Sequence, residues 1–498
     1  MAEAQVLLRG GMVYDGTGSP GIPGDVLVVG ERIEAIGPLG DVPDAAVIDA
    51  AGCCVAPGFI DPHNHADHEV EGGILAHPLA DNLVRQGITT IVCNQCGGAT
   101  FPVGDFLDRF GTVGAVTNVA MLASHGKTRN LALKAAGGKN GPEMWQTMRN
   151  LLRDEMEAGA LGVTTGIIGV TCERIPTEEL VEAGRAVAPY GGVYASHIRD
   201  EGEYGRHLDA IGEVATVARE TGAKGHVSHL KLWGHPNWGR TDEVLAIFER
   251  ARRDGAVLLA DQYPYIGGYR GFFSLLWDKQ AKGTNDPAWR AAAEAEVRRQ
   301  LDLLGGPERL YISSHEKNDP LDGLTIGEAA NVLSLRPEEV VPELFWREPR
   351  PRLSAFFLAM REEDVRTFMT SEFTMVGTDS HVRIPGSGAS HPRNFGVYPR
   401  LLGKYVREEE VMDLPRMIRR MTSQVAEQFG IARRGQIRKG FQADLAVFDP
   451  ATVRDRSTWR NGYAYPVGIR HVLVNGGVTV RDGLPVGRGF GRAVRRGA

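Results

Sequence analysis

Short apolar segments alternate with stretches of helical periodicity through the middle of this chain. The intervening stretches, for example residues 178–187, 207–220 and 241–253, have the spacing of amphipathic helices. Strands that alternate with helices pair in parallel, and eight such units close into a barrel. The sequence therefore predicts an α/β protein with a (β/α)8 TIM-like barrel. The eight strand candidates are residues 55–60, 89–93, 116–123, 161–165, 193–197, 225–229, 258–263 and 373–379.

The two ends of the chain show a different pattern, in which short alternating runs are separated by glycine-rich turns. Residues 5–55 carry three such runs, and residues 445–480 carry three more. Neither set is large enough to be a stable unit alone. We therefore predict one small β-sandwich domain formed by both chain termini, residues 1–56 and 426–498, beside a metal-dependent hydrolase barrel over residues 57–425.

The gap between the seventh and eighth strand candidates is long. We predict a helical insertion at about residues 272–345, because segments such as 289–296 are rich in strong helix formers. Residues 311–314 are a candidate extra strand within it. One interpretation is that the insertion is a mobile lid over the site, and the other is a passive surface addition.

Composition limits the classes of partner. Of the 498 residues, 42% are hydrophobic and 24% charged, which is typical of a globular protein. A net charge of -6 gives no reason to expect nucleic acid. No apolar run approaches the roughly 20 residues of a membrane span, and the N-terminus lacks the parts of a signal peptide. We expect a cytoplasmic monomer or homodimer that acts on a small-molecule substrate, without nucleic-acid or membrane partners, and an arginine-rich C-terminal tail that is solvated.

The cysteines do not form a disulfide framework, because five in a large chain are too few and odd in number. Cys93 and Cys96 form a Cys-x-x-Cys pair. A structural zinc site would need a second such pair, and a thioredoxin-type site would need a helix directly after it. Cys93 lies inside a strand candidate and is assigned to the core. Cys96, in a glycine-flanked turn, is either a functional thiolate or a small buried hydrophobe.

Four histidines lie at the ends of strand candidates. His63 and His65 follow the first candidate as a His-x-His pair, and alternate side chains on a strand share a face. His197 and His229 each end a strand candidate directly after a serine. A single histidine of this kind is usually a hydrogen-bonded core residue. Because the strand ends of a barrel meet, two matching strand ends together with the His-x-His pair indicate a metal site.

Other residues at strand ends suggest hydrolytic chemistry. Asp379 ends the eighth candidate, where a carboxylate either binds a metal or takes the proton of a water molecule and passes it to a leaving group. Arg393 is suited to bidentate recognition of a carboxylate, with a surface ion pair as the alternative. Tyr263 and Tyr265, at the end of the seventh candidate, either donate to a developing oxyanion or simply pack.

Taken together, these motifs resemble those of the N-acyl-D-amino-acid deacylases (D-aminoacylases) of the amidohydrolase superfamily, over nearly the full length. His-x-His alone identifies only the superfamily, whereas the whole set is specific. The matching segments are residues 57–65, the Cys96-Gly97 turn, GGVYASHIRDEGE at 191–203, VSHLK at 227–231, DQYPY at 261–265, residues 377–379, SHPR at 390–393 and residues 435–449.

The resemblance implies zinc-dependent hydrolysis of N-acyl-D-amino acids, which releases a carboxylic acid and a free D-amino acid. It implies that Cys96, His197 and His229 hold a tightly bound zinc. Cys96 would stand where many members of the superfamily use a carboxylated lysine to bridge two metals. His63 and His65 would belong to a second, weaker site that shares Cys96.

Further roles follow from the same resemblance. Asp379 would complete the second metal site and act as the general acid/base. Lys231, Tyr263 and Arg393 would bind substrate, with Arg393 taking the α-carboxylate of the amino acid product. These are expectations that the resemblance implies for the matching positions, not deductions from spacing.

The chain departs from the family pattern around the substrate pocket. Gln95 stands where the family usually has Asn, residues 380–383 replace a glycine-containing turn, and Tyr269 stands where a small hydroxyl residue is common. These differences leave the substrate open. A dipeptidase, a cyclic amidase or another C–N hydrolase on the same scaffold is the alternative within the enzymes. A non-catalytic scaffold protein is disfavoured, because every ligand candidate and Asp379 are present.

Overall fold

The computed structural model describes residues 4–68, 72–168, 175–272, 286–314, 320–347, 353–386 and 390–497. Its strands, in chain order, are β1 (Gln5–Val13), β2 (Ile22–Val29), β3 (Arg32–Gly37), β4 (Ala46–Asp49), β5 (Cys54–Pro57), β6 (Phe59–Asp61), β7 (Ile88–Cys93), β8 (Asn118–Met121), β9 (Ala123–Ser124), β10 (Gly162–Gly166), β11 (Val193–His197), β12 (Lys224–Val227), β13 (Leu258–Gln262), β14 (Gly268–Gly271), β15 (Leu310–Ser314), β16 (Leu353–Phe357), β17 (Thr374–Val376), β18 (Leu445–Phe448), β19 (Ile469–Val474), β20 (Gly477–Arg481) and β21 (Leu484–Pro485).

Helices connect most of the strands in the middle of the chain. They are α1 (Gly73–Ala76), α2 (Asp81–Val84), α3 (Val103–Phe110), α4 (His125–Ala135), α5 (Pro142–Glu157), α6 (Thr177–Val187), α7 (His207–Thr221), α8 (Thr241–Arg253), α9 (Pro287–Leu304), α10 (Ile326–Leu333), α11 (Pro337–Arg347), α12 (Glu362–Thr370), α13 (Arg393–Arg400), α14 (Leu414–Met421) and α15 (Ser423–Phe429). Among the helices that the structure describes, none combines the length and the apolar composition that a membrane crossing requires.

The central strands form two groups in which every pairing is parallel. One group has the order β17-β13-β12-β11-β10-β9 and the other the order β6-β7-β8. Only Leu122 separates β8 from β9, so these two segments act as one strand and join the groups. Every residue of β7 is buried, as expected for a parallel strand that is covered on both faces.

Backbone contacts between the first and last strands close this sheet. The backbone N–H of Asp379 donates to the carbonyl of His63 at 2.8 Å, and that of His65 donates to Ser380 at 2.7 Å. Asn64 and Ser380 also form a parallel bridge. The closure confirms the predicted TIM-like barrel of eight parallel strands and brings the strand ends of residues 61–65 and 377–380 together.

Both chain ends contribute to a second sheet. Its order is β21-β20-β19-β18-β5-β1-β2-β3, with β4 beside β1. The sheet has an apolar core that is separate from the barrel, to which Leu8, Val28 and Leu445 belong. The two termini are therefore joined in one sheet, while a second layer, as a sandwich requires, stays a prediction.

The predicted first strand, residues 55–60, is in fact parts of two strands. Cys54–Pro57 pairs with Leu445–Phe448 in the terminal sheet, whereas Phe59–Asp61 pairs with β7 in the barrel. Gly58 lies between them, and a Cβ atom there would stand only 2.3 Å from the Thr89 side chain. Glycine therefore lets the chain pass from one sheet to the other without a break in the apolar pattern.

The described part of the long connection between β13 and β17 contains helices and a small sheet. β14, β16 and β15 pair antiparallel in that order. The predicted strand at 311–314 corresponds to Leu310–Ser314, but the sequence analysis missed the other two strands of this sheet, β14 and β16. Residues 273–285 and 315–319 of the predicted insertion lie outside the described residues, and the lid function stays a prediction.

The C-terminal tail packs against the barrel, so the prediction of a solvated terminus is wrong. The backbone N–H of Val494 donates to Val119 at 2.8 Å, and that of Arg496 donates to Gly159 at 3.0 Å. Val494 is only 6% exposed and joins the apolar core inside the barrel. The arginines dominated the sequence pattern, whereas the apolar side chains between them, Phe490, Ala493 and Val494, pack against the core.

This packing predicts that Val494→Asp destabilises the protein. The substitution removes apolar burial and places a carboxylate in an apolar environment, so we expect a loss of about 2–5 kcal/mol in the free energy of unfolding. The measurement is denaturant unfolding. Val486→Asp is the matched control, because Val486 is 43% exposed and exposed substitutions usually change stability by less than about 0.5 kcal/mol. Equal effects of the two variants would contradict the packed tail.

Candidate metal centre and active site

The candidate site residues meet at the C-terminal end of the barrel. They follow or end five different strands: His63 and His65 after β6, Cys96 after β7, His197 at the end of β11, His229 after β12 and Asp379 after β17. Three of them have positive φ, namely Cys96 at 54°, His229 at 37° and Asp379 at 51°. Non-glycine residues adopt this conformation at a cost of about 1–3 kcal/mol, and such strain concentrates at functional sites.

The thiol of Cys96 is the centre of a cluster of imidazoles. Its Sγ lies 3.3 Å from Nε2 of His63, 3.3 Å from Nε2 of His229 and 3.4 Å from Nδ1 of His197. Burial, followed by the nearby Asp379, raises the pKa of this thiol well above its usual range. A thiolate here therefore needs a compensating cation, which a divalent metal among the imidazoles would supply.

A second group of ligand atoms shares His63 with the first. Nε2 of His65 donates to Oδ1 of Asp379 at 3.1 Å, and Nε2 of His63 lies 3.7 Å from the same oxygen. The ligand atoms of His63, Cys96 and His229 lie within 4.8 Å of one another, and so do those of His63, His65 and Asp379. Two adjacent metal positions fit this arrangement, one at Cys96 and one at Asp379, and His63 lies close to both.

Arg393 lies against Asp379 instead of pointing to the surface. Its Nη1 is 2.6 Å from Oδ2 of Asp379, and the guanidinium is buried. Burial by itself would raise the pKa of Asp379, but Arg393 and the hydrogen bond from His65 outweigh it and hold that pKa well below its usual range. Asp379 is therefore held as an ionised carboxylate.

Lys231 and Tyr263 complete the predicted set on the same side of the site. The Lys231 ammonium lies 5.4 Å from the centroid of the Tyr263 ring, and the Arg393 guanidinium lies 4.9 Å from it. The Tyr263 hydroxyl is buried and has no hydrogen-bond partner among the described residues. Tyr265, the other candidate, instead donates to Asp455 at 3.3 Å. The structure thus leaves Tyr263 as the tyrosine with an available donor.

Sequence analysis assigned no role to Asp261, which lies in β13. Its Oδ2 accepts from Nδ1 of His63 at 3.2 Å and from Nε2 of His226 at 2.7 Å, while Oδ1 accepts from the backbone N–H of His229 at 3.0 Å. Such an acceptor orients an imidazole and leaves its other nitrogen for a metal. The signal for this role was a carboxylate directly after the apolar residues 258–260 of a strand candidate, where a buried charge needs partners.

Glu201 is a second carboxylate that sequence analysis did not single out. It is 2% exposed and contacts Lys231 and Arg270, each at 2.9 Å, as well as the imidazole of His229. The only sequence signal was its place in the segment at 191–203 that carries the family resemblance. The contacts come from distant parts of the chain, so local spacing did not predict them.

Comparisons with known proteins give consistent results. Residues 336–480 match the family model described as the Amidohydrolase family. D-aminoacylase of Alcaligenes xylosoxydans xylosoxydans is 32% identical over 99% of this chain and 98% of its own length. The structure of N-acyl-D-glutamate deacylase from Bordetella bronchiseptica, complexed with zinc and a phosphonate inhibitor, is 30% identical with a TM-score of 0.82, over 99% of this chain and 100% of that chain.

A further solved structure concerns the binuclear metal centre of D-aminoacylase, with one-metal activation and second-metal attenuation. It is 31% identical with a TM-score of 0.80 and covers 99% of each chain. The barrel and the cluster at its C-terminal end are those of an amidohydrolase. Within that class, identity above 30% over almost the whole length is decisive, and the chain belongs to the D-aminoacylase family of N-acyl-D-amino-acid deacylases.

Proposed function

We propose that this chain is a zinc-dependent hydrolase that releases a D-amino acid and a carboxylic acid from an N-acyl-D-amino acid. The observation that carries the proposal is the cluster of one thiol and three imidazoles beside the Asp379–Arg393 ion pair. The family relatives named above support the reaction class. A panel of N-acetyl and N-formyl D- and L-amino acids, with dipeptides and cyclic amides as controls, tests it directly.

The donor atoms fit zinc. A thiolate and neutral imidazoles are the ligands that this ion prefers, and the buried thiol needs a cation beside it. We propose that Cys96, His197 and His229 hold a tightly bound zinc, and that His63 and His65 serve a second, weaker site with Cys96 and Asp379. Zinc supplies Lewis-acid polarisation of the amide carbonyl and activation of water when it is bound.

The charge and the position of Asp379 support a role as the general acid/base. It is an ionised carboxylate with one oxygen toward His63 and His65 and the other toward Arg393. We propose that it takes a proton from the attacking water and delivers it to the amide nitrogen as the C–N bond breaks. Tyr263, whose buried hydroxyl has no described partner, is proposed to donate to the developing oxyanion.

Arg393 is proposed to bind the substrate α-carboxylate, together with Lys231. The guanidinium uses Nη1 for Asp379, while its buried Nε has no hydrogen-bond partner among the described residues. A guanidinium has five N–H donors, so it is able to hold the substrate and Asp379 at once. The α-carboxylate would then lie beside the general acid/base, with the scissile amide close to the metal cluster.

Arg393→Ala should lower kcat/KM for an N-acyl-D-amino acid by about 10- to 150-fold, the scale of a lost charged hydrogen bond of roughly 1.5–3 kcal/mol. Arg393→Lys should recover only part of this, because an ammonium does not form the bidentate contact. Steady-state kinetics with the acid and with the corresponding amide is the measurement.

The amide serves as the internal control for this prediction. It lacks the carboxylate, so the native enzyme should strongly prefer the acid, and Arg393→Ala should abolish most of that preference. If Arg393 acted only through its ion pair with Asp379, acid and amide would slow equally. An acid preference that Arg393→Ala leaves unchanged would contradict carboxylate recognition by Arg393, and a native enzyme without any acid preference would favour a hydrolase of neutral cyclic amides.

The remaining features of the assembly stay proposals. We propose a cytoplasmic enzyme that works as a monomer or homodimer on a small-molecule substrate. Support for a reducing compartment comes from the cysteines of the described part of the chain, Cys53, Cys54, Cys93 and Cys96, which are all free. Gel filtration with light scattering distinguishes the two oligomeric states.

A further inference from the structure

A single buried carboxylate lies behind both histidines of the proposed tight zinc site. Oε1 of Glu201 is 2.9 Å from Nδ1 of His229 and 3.8 Å from Nε2 of His197. The opposite ring nitrogens, Nε2 of His229 and Nδ1 of His197, face the Cys96 thiol at 3.3 and 3.4 Å. Glu201 therefore lies on the far side of each ring from the cluster of ligand atoms.

We infer that Glu201 is a positioning residue that selects the metal-binding tautomer of His229. The inference rests on the proposed function only in that a zinc ion binds at the Cys96 cluster. A neutral histidine that binds a metal through one nitrogen carries its proton on the other. A carboxylate that accepts this proton's hydrogen bond fixes both the tautomer and the orientation of the ring.

Lys231 makes this selection necessary at His229. Its Nζ lies 3.1 Å from the same Nδ1 that faces Glu201. An ammonium only donates, so Lys231 alone would favour the tautomer in which Nδ1 accepts and Nε2 carries the proton. That tautomer has no free lone pair on the nitrogen that faces Cys96. Oε1 of Glu201 also accepts a hydrogen bond from the Lys231 ammonium at 2.9 Å. The same oxygen therefore accepts from Lys231 and from Nδ1–H of His229, which keeps the His229 proton on Nδ1.

Arg270 keeps the Glu201 carboxylate in this orientation. Its Nη2 donates to Oε2 at 2.9 Å, which leaves Oε1 directed toward His229 and Lys231. The same guanidinium lies 4.3 Å from the Trp233 ring and also pairs with Glu203. Within the described part of the chain, Glu203 pairs with Arg270 but with neither imidazole, so it is a natural comparison for Glu201.

The first test measures the zinc dissociation constant by chelator competition, without substrate. We expect Glu201→Gln to weaken zinc by about 10- to 100-fold, the usual effect of losing a carboxylate behind a metal-binding histidine. Glu203→Gln, the matched control, should change it by less than about 3-fold, because Glu203 pairs with Arg270 and not with a metal-binding imidazole. The double variant Glu201→Gln/Lys231→Met also removes the Lys231 ammonium that competes for Nδ1 of His229, and it should recover part of the zinc affinity. If Glu201→Gln weakened zinc only through a general loss of packing, the second substitution would not recover it.

The second test begins with the native protein. Long-range ¹H–¹⁵N NMR of zinc-loaded, histidine-labelled native protein should show His229 with its proton on Nδ1 and His197 with its proton on Nε2. Glu201→Gln should shift the Nδ1 proton of His229 upfield in the zinc-loaded protein and change the tautomer population of His229 in the metal-free protein. The opposite tautomer in the native protein would overturn the inference, as would equal zinc weakening by Glu201→Gln and Glu203→Gln. Since neither readout needs turnover, both stand even if the deacylase assay fails.

Discussion

Cys96→Ala should lose most of its zinc on purification and lower kcat/KM by more than about 100-fold. Cys96 is the one anionic ligand candidate of the tight site, and its Sγ lies within 3.4 Å of three imidazoles. Loss of a carboxylate behind a metal ligand alone costs about 10- to 100-fold, so the loss of the ligand itself should cost more. Metal analysis after gel filtration and steady-state kinetics measure the two effects.

Cys93→Ala is the matched control for this experiment. Cys93 is fully buried in β7, three positions before Cys96, and does not belong to any group of candidate ligand atoms. We expect it to lose some stability through a small cavity but to keep its zinc and its turnover. If Cys96→Ala retained metal and activity, the proposed ligand set would be wrong.

The second large expected effect concerns proton transfer by Asp379. Asp379→Asn should lower kcat by about 10²- to 10⁴-fold, the usual scale of general acid–base assistance, because the amide is nearly isosteric but does not shuttle a proton. The tightly bound zinc should remain, since the proposed tight site does not include Asp379. Pre-steady-state kinetics at saturating substrate and metal analysis separate lost chemistry from lost metal.

Asp455→Asn provides the comparison for Asp379→Asn. Asp455 also pairs with an arginine, Arg400 at 3.2 Å, but lies outside every group of candidate metal ligands. Removal of that charge should lower stability without a change in kcat. An Asp379→Asn enzyme with native kcat would exclude Asp379 as the acid/base, and a similar decrease in both variants would indicate a general effect of charge.

Much of the fold was predictable because barrel strands and helices have local signatures. The alternation of apolar segments and amphipathic helices depends on spacings of two to four residues, which a single sequence displays. The exceptions have physical causes. The apolar pattern continues across Gly58, so the change from the terminal sheet to the barrel was not visible, and the short strands β14 and β16 pair only with distant segments.

The chemistry of the site was also largely visible, because its side chains follow directly after strands. Parallel strands in a barrel all end on one side, so Cys96, His197, His229 and Asp379 had to be neighbours once the barrel was accepted. The contact between Asp379 and Arg393 was not predicted. Sequence analysis offered substrate binding or a surface ion pair for Arg393, and the structure shows a buried pair with the candidate acid/base.

By itself, the sequence determined the barrel, the strand ends that carry chemistry and the residue types available for a metal site. Only the tertiary structure decided which carboxylate supports which imidazole, that Tyr263 and not Tyr265 has an available donor, and that Val494 packs into the barrel core. The physical reason is the separation along the chain of the residues that each feature depends on. Periodicity and strand-end position are properties of neighbouring residues, whereas the hydrogen bonds of a buried charge depend on residues that meet only when the barrel closes.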